Sequence, residues 1–255
     1  MSTRFRPIRR RHWPAFIRAG RAAAATLHHV GQRLAPGITT AQIDRWVRED
    51  TAQRGGTPSQ LGYKGFPAAV CTSRNAVVCH GIPNHHERLE PGDIINVDVT
   101  TKLGAWHGDT STTFLIGDPS PEARHLVETA TRARDAGIQA VRAGARLGEV
   151  GAAIERFASR AGCRVVTAFG GHGIGRQMHE GPFVRHVGPR EVGPILQVGH
   201  AFTIEPMVVL GSPEVVVQDD GWTAVTRDGG WSAQAEHTIL VTEDGPVITT
   251  LPPDA

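Results

Sequence analysis

Apolar residues at the start of the chain recur at helical spacing. Ile17, Leu27 and Val30 fall on one face of a helix over residues 14–34, and the breaker pair Pro36-Gly37 ends the pattern. The first part of the chain is therefore predicted to be a long amphipathic helix.

Three further helices are predicted. Thr39 with Gln42 three residues later has the pattern of a capping box, and the helix that it opens should end at Gly55-Gly56. Pro121 after a serine is typical of a helix start, and that helix should run over residues 121–143. The last predicted helix covers roughly residues 147–161.

Between and after these helices the spacing between apolar residues becomes shorter than in a helix. Short segments rich in Val, Ile and Thr are typical of strands. They cover residues 68–71, 76–79, 94–100, 106–115, 164–168, 201–210, 214–217, 222–226 and 236–242. Alternating helices and groups of short strands indicate an α+β fold.

A weak internal repeat relates the two halves of the chain. One constant offset relates Gly37, Ile43, Val47 and Gly55 to Gly144, Val150, Ile154 and Gly162, respectively. Each half then consists of a helix, a glycine turn, a helix and strands. With no Pro- or Gly-rich linker between the halves, this pattern predicts one pseudo-two-fold symmetric domain over residues 12–251.

Composition and charge narrow the class of protein. The chain has 255 residues, is 40% hydrophobic and 20% charged, and carries a net charge of +2, which is ordinary for a soluble enzyme. Basic residues crowd the first dozen positions, so residues 1–11 are expected to form a flexible basic arm, either a solvated tail or a contact for RNA or an acidic partner. The arginines of this arm are Arg4, Arg6, Arg9, Arg10 and Arg11.

Cysteine usage and hydropathy bear on localisation. The cysteines, Cys71, Cys79 and Cys163, are odd in number and lack zinc-type spacing, which fits a reducing cytosol better than a disulfide framework. No apolar run approaches the roughly 20 residues that a membrane-spanning helix requires. A cytoplasmic protein with no membrane contact is expected.

Four acidic residues and one histidine lie in chemically unusual segments. These candidate metal ligands are Asp98 in NVDVT, Asp109 in HGDTS, His172 in GGHGIG, Glu205 in TIEPM and Glu236 in QAEHT. Carboxylates that converge cannot all stay ionised without neighbouring positive charge. If these residues meet, two divalent cations would balance their charge.

Hairpin geometry brings two of these acids together. A turn centred on Leu103-Gly104 would place Asp98 directly opposite Asp109, with Cβ atoms about 4.5–5.5 Å apart on one face. Aspartate is depleted in strands, and like charges opposite each other destabilise a sheet. A cation between the two side chains is the simplest compensation; the alternative is one turn aspartate and one solvated aspartate.

The other three candidates have alternatives of their own. His172 could belong to a dinucleotide-binding loop, although G-x-G-x-x-G is not present. Glu205 and Glu236 could be salt-bridge partners. Oxygen ligands with one nitrogen suit manganese, iron, cobalt, zinc or nickel. In two-metal sites a water becomes a nucleophile and a carbonyl is polarised, so amide hydrolysis is the expected reaction class.

Several motifs together resemble one enzyme family. In chain order they are VCHGIPN (78–84), NVDVT, HGDTS, GHGIGRxxHE, TIEPM and QAEHT, and over about residues 12–250 the chain is similar to type I methionine aminopeptidases. The resemblance implies the pita-bread fold. It also implies removal of the initiator methionine from nascent proteins and peptides when the next residue is small.

The resemblance also implies a role for each site residue. Asp98, Asp109 and Glu236 would hold one divalent ion, and Asp109, His172, Glu205 and Glu236 the other. His80 would contact the substrate near its scissile amide or its amino terminus. His179 would stabilise the tetrahedral intermediate, and Glu205 would carry the proton of the attacking water. A Na or K ion would lie at Asn75, Val77 and Ser232.

The methionine pocket implied by the resemblance has apolar, aromatic and sulfur walls, which favour a thioether. Its lining would be Tyr63, Phe66, Cys71, Met178 and Trp222, together with His80 and His179. The chain departs from the family at the pocket rim, where relatives often have cysteine and histidine and this chain has Gln60 and Lys64. Met178 stands where an aromatic residue is common. These departures bear on the preference for the second residue.

Two other functions stay open at this point. A prolidase or an aminopeptidase P shares the fold but usually carries a further N-terminal domain, for which this chain has no room. A non-catalytic relative that binds RNA or a partner typically loses metal ligands, whereas all five are present. The expected partners are nascent polypeptide N-termini and the ribosome, through the basic arm, and the protein is expected to be a monomer.

Overall fold

The computed structural model describes residues 5–252. Four α-helices form two pairs: α1 (Trp13–Gly31) with α2 (Thr40–Gln53), and α3 (Pro121–Gln139) with α4 (Gly148–Arg160). Single 3-10 turns cover Arg10–His12 and Tyr63–Gly65. The helix starts agree with the sequence pattern, because the Thr39–Gln42 capping box is formed and Ser120 caps α3.

Fifteen short strands complete the described part of the chain. They are β1 (Thr57–Pro58), β2 (Cys71–Arg74), β3 (Val77–Cys79), β4 (Ile94–Leu103), β5 (Trp106–Leu115), β6 (Arg164–Val165), β7 (Gly171–Gly173), β8 (Glu180–Val184), β9 (Ala201–Ile204), β10 (Met207–Val209), β11 (Val215–Val217), β12 (Ala224–Thr226), β13 (Ser232–Gln234), β14 (His237–Thr242) and β15 (Gly245–Ile248). All of the pairings are antiparallel, which confirms the α+β class.

The strands form four small sheets. The first half contributes β1-β4-β2 with β5 paired to β4, and the second half contributes β15-β14-β9-β7-β8. Two three-stranded sheets, β13-β10-β6 and β11-β12-β3, lie beside them. A hydrophobic core underlies each half: Ile43 and Val97 are buried in the first, and Ile154 and Phe202 in the second.

The internal repeat corresponds to a structural repeat. The turns that follow the equivalent helices contain Gly37, Gly55, Gly144 and Gly162, and all four have positive φ, which glycine adopts without steric cost. The same offset maps β1 onto β6 and β4 onto β9 with β10. It also maps Asp98 onto Glu205, so two of the candidate ligands are pseudo-symmetry mates.

The central hairpin differs from its predicted register. Asp98 pairs with Ser111, and Asp109 pairs with Thr100, because Leu103 and Trp106 close the hairpin around a turn at residues 104–105. The prediction that the two aspartates are directly opposite was therefore wrong. Side chains alternate in steps of two, so both aspartates still lie on one face as diagonal neighbours.

Other boundaries also differ from the sequence pattern. The predicted strand 201–210 is divided into β9 and β10 at Glu205-Pro206, since proline has no N–H for the ladder. Strands β1, β7, β8, β13 and β15 were not predicted, and β2 begins three residues later than expected. Strand β7 is mostly glycine and β1 has only two residues, so neither shows the alternation of apolar and polar residues that identifies a strand.

The described part of the basic arm, residues 5–11, is packed against the domain rather than free. Phe5 stacks on His200 with ring centroids 3.7 Å apart, and Ile8 is buried and donates its N–H to Gly199 at 2.7 Å. Arg10 forms an ion pair with Glu243. The aromatic and aliphatic residues between the arginines hold this part in place, while Arg4 lies outside the described residues. No helix within residues 5–252 is long and apolar enough to cross a membrane.

Candidate active site

Ligand-type side chains from both halves converge at the bottom of one cavity. Asp98 and Asp109 come from the hairpin β4–β5, and His172 comes from β7. Glu205 follows β9, and Glu236 lies between β13 and β14. All five residues line the same cavity of about 220 Å³.

The ligand atoms lie at distances suited to a shared cation. One atom from each of Asp109, His172 and Glu236 lies within 4.8 Å of the other two. The Nε2 atom of His172 is 3.6 Å from a carboxylate oxygen of Asp109 and 3.6 Å from one of Glu205. These separations are too long for hydrogen bonds but suit neighbouring donors on one ion.

Neighbouring polar groups fix the orientation of the ligands. Thr100 donates to Asp109 at 2.7 Å, and Thr203 donates to Glu205 at 2.6 Å. The Nδ1 atom of His172 lies 3.1 Å from the Gly173 carbonyl, which holds the ring with Nε2 facing the acids.

Two side-chain amides also bond carboxylates of the cluster, those of Asp98 and Glu205. Gln60 donates from Nε2 to Asp98 at 3.2 Å, and Gln234 donates to Glu205 at 3.3 Å. Such outer hydrogen bonds orient ligands in metal sites and tune their basicity.

Hydrogen bonds across the two halves clamp the site. Thr238 donates its hydroxyl to the Asp109 carbonyl at 2.7 Å and accepts the Asp109 N–H at 3.1 Å. Thr110 donates to the Glu236 carbonyl at 2.9 Å, and the Glu236 N–H is bonded to the Ser111 carbonyl. Each acid of this pair is thus tied to the strand that carries the other.

The electrostatics of the cluster call for positive charge. Burial and the neighbouring carboxylates raise the pKa of Asp98 and of Glu236 well above its usual range. Burial also raises the pKa of Glu205 to about 7. Burial opposes ionisation of Asp109 too, but its contacts with His172 and Thr100 hold its pKa below the usual value.

The residues fit a divalent metal centre. Glu236 is 1% exposed, and its Oε1 atom has no hydrogen-bond partner in the described structure. A buried carboxylate oxygen without a partner is costly and is rare in native proteins. One imidazole nitrogen with carboxylate oxygens is a donor set that manganese, iron, cobalt or zinc accepts.

Two further histidines line the cavity above the acids. The ring centroid of His179 is 4.1 Å from that of His172 and 4.9 Å from that of Tyr63. Burial, with the nearby His172, lowers the pKa of His179 to about 3, so the ring is neutral near pH 7. Its Nδ1 atom has no partner among the described residues.

His80 occupies a strained position at the end of β3. Its φ is 58°, and its ring meets Phe169 and Trp222 edge to face, with centroids 5.3 Å and 6.1 Å away. Burial lowers its pKa. Non-glycine residues with positive φ are uncommon and concentrate at functional sites.

The upper walls of the cavity are apolar. Phe66, Cys71 and Met178 are buried there, and the rings of Phe66 and Trp222 lie edge to face at 5.1 Å. Tyr63 completes the wall. Every residue expected in the methionine pocket therefore lies around the same cavity as the acids.

The structure adds four polar residues to those expected at the site, and one of them is Thr203, which bonds Glu205. Thr100 and Gln234 bond carboxylates of the cluster, and each lies two residues from a candidate acid, within the motifs NVDVT and QAEHT. Gln60, which was noted only as a departure at the rim, bonds Asp98. Thr100 lies two residues after Asp98 on the same strand, so alternation was the one signal that could have found it.

The residues expected to hold a monovalent cation lie apart from this cavity. The N–H of Ser232 donates to the carbonyl of Asn75 at 2.9 Å, and Val77 starts β3 two residues later. The Ser232 hydroxyl is buried and has no partner among the described residues. Asn75 has a φ of 52°.

Comparisons with known proteins agree with this geometry. Residues 15–243 match metallopeptidase family M24. Methionine aminopeptidase A of Synechocystis is 47% identical, with 96% of each chain covered. The crystal structure of methionine aminopeptidase from Rickettsia prowazekii is 40% identical, covers 97% of this chain and 100% of that one, and has a TM-score of 0.95.

A more distant structure shares the fold alone. Prolidase from Pyrococcus furiosus is 17% identical and has a TM-score of 0.76, and the match covers 96% of this chain but 65% of the prolidase. The likeness to these solved structures identifies the architecture as the pita-bread fold.

Proposed function

Since the chain belongs to metallopeptidase family M24, we propose that it is a methionine aminopeptidase, a hydrolase that removes the N-terminal methionine of nascent proteins and peptides when the next residue is small. The observation that carries this proposal is the cavity itself, in which five ligand-type residues lie beneath walls of aromatic and sulfur-containing side chains. The enzyme requires divalent metal ions.

We propose that two divalent ions bind: one at Asp98, Asp109 and Glu236, the other at Asp109, His172, Glu205 and Glu236. When bound, such ions supply Lewis acidity and lower the pKa of water. Cobalt, manganese, iron, zinc and nickel are all compatible with these donors. The carboxylate cluster, whose ionisation is unfavourable on its own, supports this assignment.

The chain's own residues then perform the hydrolysis. Glu205 accepts a proton from the attacking water as the new C–O bond forms at the scissile carbonyl. As the C–N bond breaks, the same carboxyl group gives a proton to the leaving amine, so methionine and a shortened peptide are released. A carboxyl group held beside the attacking water can take up this proton and return it to the leaving amine.

The two histidines act on the substrate. His179 stays neutral and donates an N–H to the developing oxyanion, a role that its proximity to His172 supports. His80, which lines the same cavity, contacts the substrate near its scissile amide or its amino terminus. The methionine side chain packs among Phe66, Cys71 and Met178, where thioether–aromatic and sulfur contacts are favourable, with Tyr63 and Trp222 completing the pocket.

A peptide assay after metal loading tests the function. The purified protein is stripped with chelator and loaded with manganese, cobalt or iron. It should release methionine from Met-Ala-Ser and leave Ala-Pro dipeptides intact. Release from Xaa-Pro substrates instead would assign the chain to the prolidase branch of the family. No methionine release with any of the metals would refute the proposal that the chain is an enzyme.

We further propose that the basic arm contacts ribosomal RNA. Arg6, Arg9 and Arg11 line a cavity of about 470 Å³ together with Arg176 of the loop that leads to His179. Because Phe5 and Ile8 anchor the arm, deletion would also remove packing, so the better variant replaces the three arm arginines with glutamine. Ribosome co-sedimentation should fall in that variant; unchanged co-sedimentation would refute the contact.

Three smaller assignments complete the proposal. A Na or K ion binds at Asn75, Val77 and Ser232, supported by the unpartnered Ser232 hydroxyl. The protein acts in the cytoplasm as a monomer. Light scattering of the metal-loaded protein tests the oligomeric state and should give the mass of one chain. Thermal melts in sodium, potassium and choline chloride test the ion, which should raise the melting temperature of the wild type but not of Ser232→Ala.

A further inference from the structure

One lysine stands at the rim of the acidic cavity. Lys64 is exposed, and it is the only lysine or arginine among the described residues that line the cavity. The interior below it carries Asp98, Asp109, Glu205 and Glu236. The bound metal ions would balance these carboxylates, so Lys64 is the charged side chain that an anionic group on a substrate meets at the rim.

The backbone holds Lys64 in an unfavourable conformation. Its φ is 49° and its ψ is 27°, in the left-handed region that side chains other than glycine and asparagine rarely adopt. Only Asn75 and His80 share a positive φ among the described non-glycine residues. The loop therefore maintains the position of this side chain against its local preference, which is typical of functional sites.

The ammonium is near the reacting centre but not engaged there. Its Nζ atom lies 5.4 Å from the ring centroid of Tyr63, and that ring lies 4.9 Å from the His179 ring. None of the ion pairs formed within residues 5–252 includes Lys64. One aromatic ring thus separates a free cation from the imidazole assigned to the scissile carbonyl.

We propose that Lys64 is a specificity determinant that pairs with a carboxylate on the substrate just beyond the scissile bond. This inference rests on the proposed function. An extended peptide advances about 3.3 Å per residue, so a group two to three residues after the methionine reaches the rim. That carboxylate is either an Asp or Glu side chain at the third residue or the C-terminus of a very short peptide.

The expected preference is modest and salt-dependent. An exposed ion pair changes a rate or binding constant by roughly two- to five-fold, and salt screens it over a Debye length of about 8 Å at physiological ionic strength. The kcat/KM for an acidic peptide should therefore exceed that for its basic counterpart at low salt. The ratio should approach one in about 1 M salt.

Matched peptides test this with the full-length, metal-loaded enzyme. Met-Ala-Asp, Met-Ala-Asn and Met-Ala-Lys amides isolate the side chain, and Met-Ala-Asn with a free C-terminus isolates the terminal carboxylate. The variants are Lys64→Gln, Lys64→Glu and Lys64→Arg. Lys102→Gln is the control, because it removes the same charge from the only other lysine, exposed at the hairpin tip outside the cavity.

The outcomes separate the inference from the function. In wild type and Lys102→Gln, the kcat/KM for the acidic peptide should be two- to five-fold higher than that for the basic peptide. The ratio of the two kcat/KM values should be one in Lys64→Gln and below one in Lys64→Glu. Lys64→Arg keeps the charge and should have the wild-type ratio. Methionine release at equal rates from all of the peptides by wild type, or an unchanged ratio in Lys64→Gln, would overturn the role of Lys64 and leave the function standing. No release from any peptide would overturn both.

Discussion

At the scale of single residues, Glu236 carries the strongest chemical constraint. It is nearly fully buried, its Oε1 atom has no partner, and burial with the adjacent carboxylates raises its pKa well above the usual range. A carboxylate in that position destabilises the metal-free protein and becomes favourable only beside cations. The same residue should therefore affect folding and metal binding in opposite directions.

Glu236→Gln should separate these two effects. The amide keeps the shape of the side chain but removes its charge, so the chelated variant should resist urea better than the chelated wild type at pH 7.5. Metal content after loading, measured by plasma mass spectrometry, should fall, and methionine release should be lost. Glu191→Gln is the matched control on the exposed surface and should change neither measurement. A chelated variant less stable than wild type would contradict this account of the cluster.

His179 should behave differently from the proposed metal ligands. His179→Ala removes a donor to the oxyanion, and loss of one such donor lowers kcat by about 10²–10³-fold. Metal content should stay at the wild-type level, because His179 faces the ring of His172 rather than replacing it among the ligands. His85→Ala, at an exposed position, is the control. Loss of both metal and activity would indicate that His179 is a metal ligand. Unchanged turnover would refute its role as a donor to the oxyanion.

At the scale of elements, the site depends on contacts between the two halves. Thr238 on β14 forms two hydrogen bonds with the backbone of Asp109 on β5, and Thr110 on β5 bonds the backbone of Glu236. Neither acid is positioned by its own segment of the chain alone. The hydroxyls therefore connect fold stability to the geometry of the ligands.

Thr238→Val should expose this connection. The change keeps the shape and leaves the buried Asp109 N–H without a partner, at a cost of about 1–3 kcal/mol in unfolding free energy. Urea denaturation with chelator measures the cost, and a metal titration should show weaker binding. Thr131→Val, which removes one hydroxyl bond to the Val127 carbonyl on helix α3, should cost less and leave metal affinity unchanged. Equal effects of the two substitutions would show that the Thr238 hydrogen bonds do not couple fold stability to metal binding.

The elements also show what the sequence could and could not predict. Helix caps at Thr39 and Ser120 depend on residues three apart, so they were predictable. The hairpin register depends on where the turn closes. The turn lies one residue later than predicted, so Asp98 pairs with Ser111 instead of Asp109. Clamping residues such as Thr238 act on residues far away along the chain, and no local pattern marks them.

At the scale of the whole molecule, residues 5–11 pack against the rest of the described chain. Phe5 stacks on His200, and the same imidazole accepts the N–H of Gln197 at its Nδ1 atom, 3.0 Å away. The basic composition of this segment suggested a free arm because charge dominates its first dozen residues. Its few apolar residues, Phe5 and Ile8, decide its position instead.

This arrangement predicts a pH-dependent stability. Burial lowers the pKa of His200 to about 4, below its unfolded value of about 6.5. Because the folded state disfavours the proton, the stability that neutral His200 contributes is present above pH 6.5 and is lost as the pH falls from 6.5 towards 4. Protonation at Nδ1 would also break the bond from Gln197.

His200→Asn should remove this part of the pH dependence, since an amide oxygen can accept the same N–H without titrating. Urea denaturation of the chelated protein at pH 7.5, 6.5, 5.5 and 4.5 measures the difference in unfolding free energy between wild type and variant. That difference should shrink as the pH falls, because only wild type takes up the extra proton on unfolding at this position. His86→Asn, at an exposed position, is the matched control. A constant difference for His200→Asn would show that the stacked imidazole does not couple proton binding to folding.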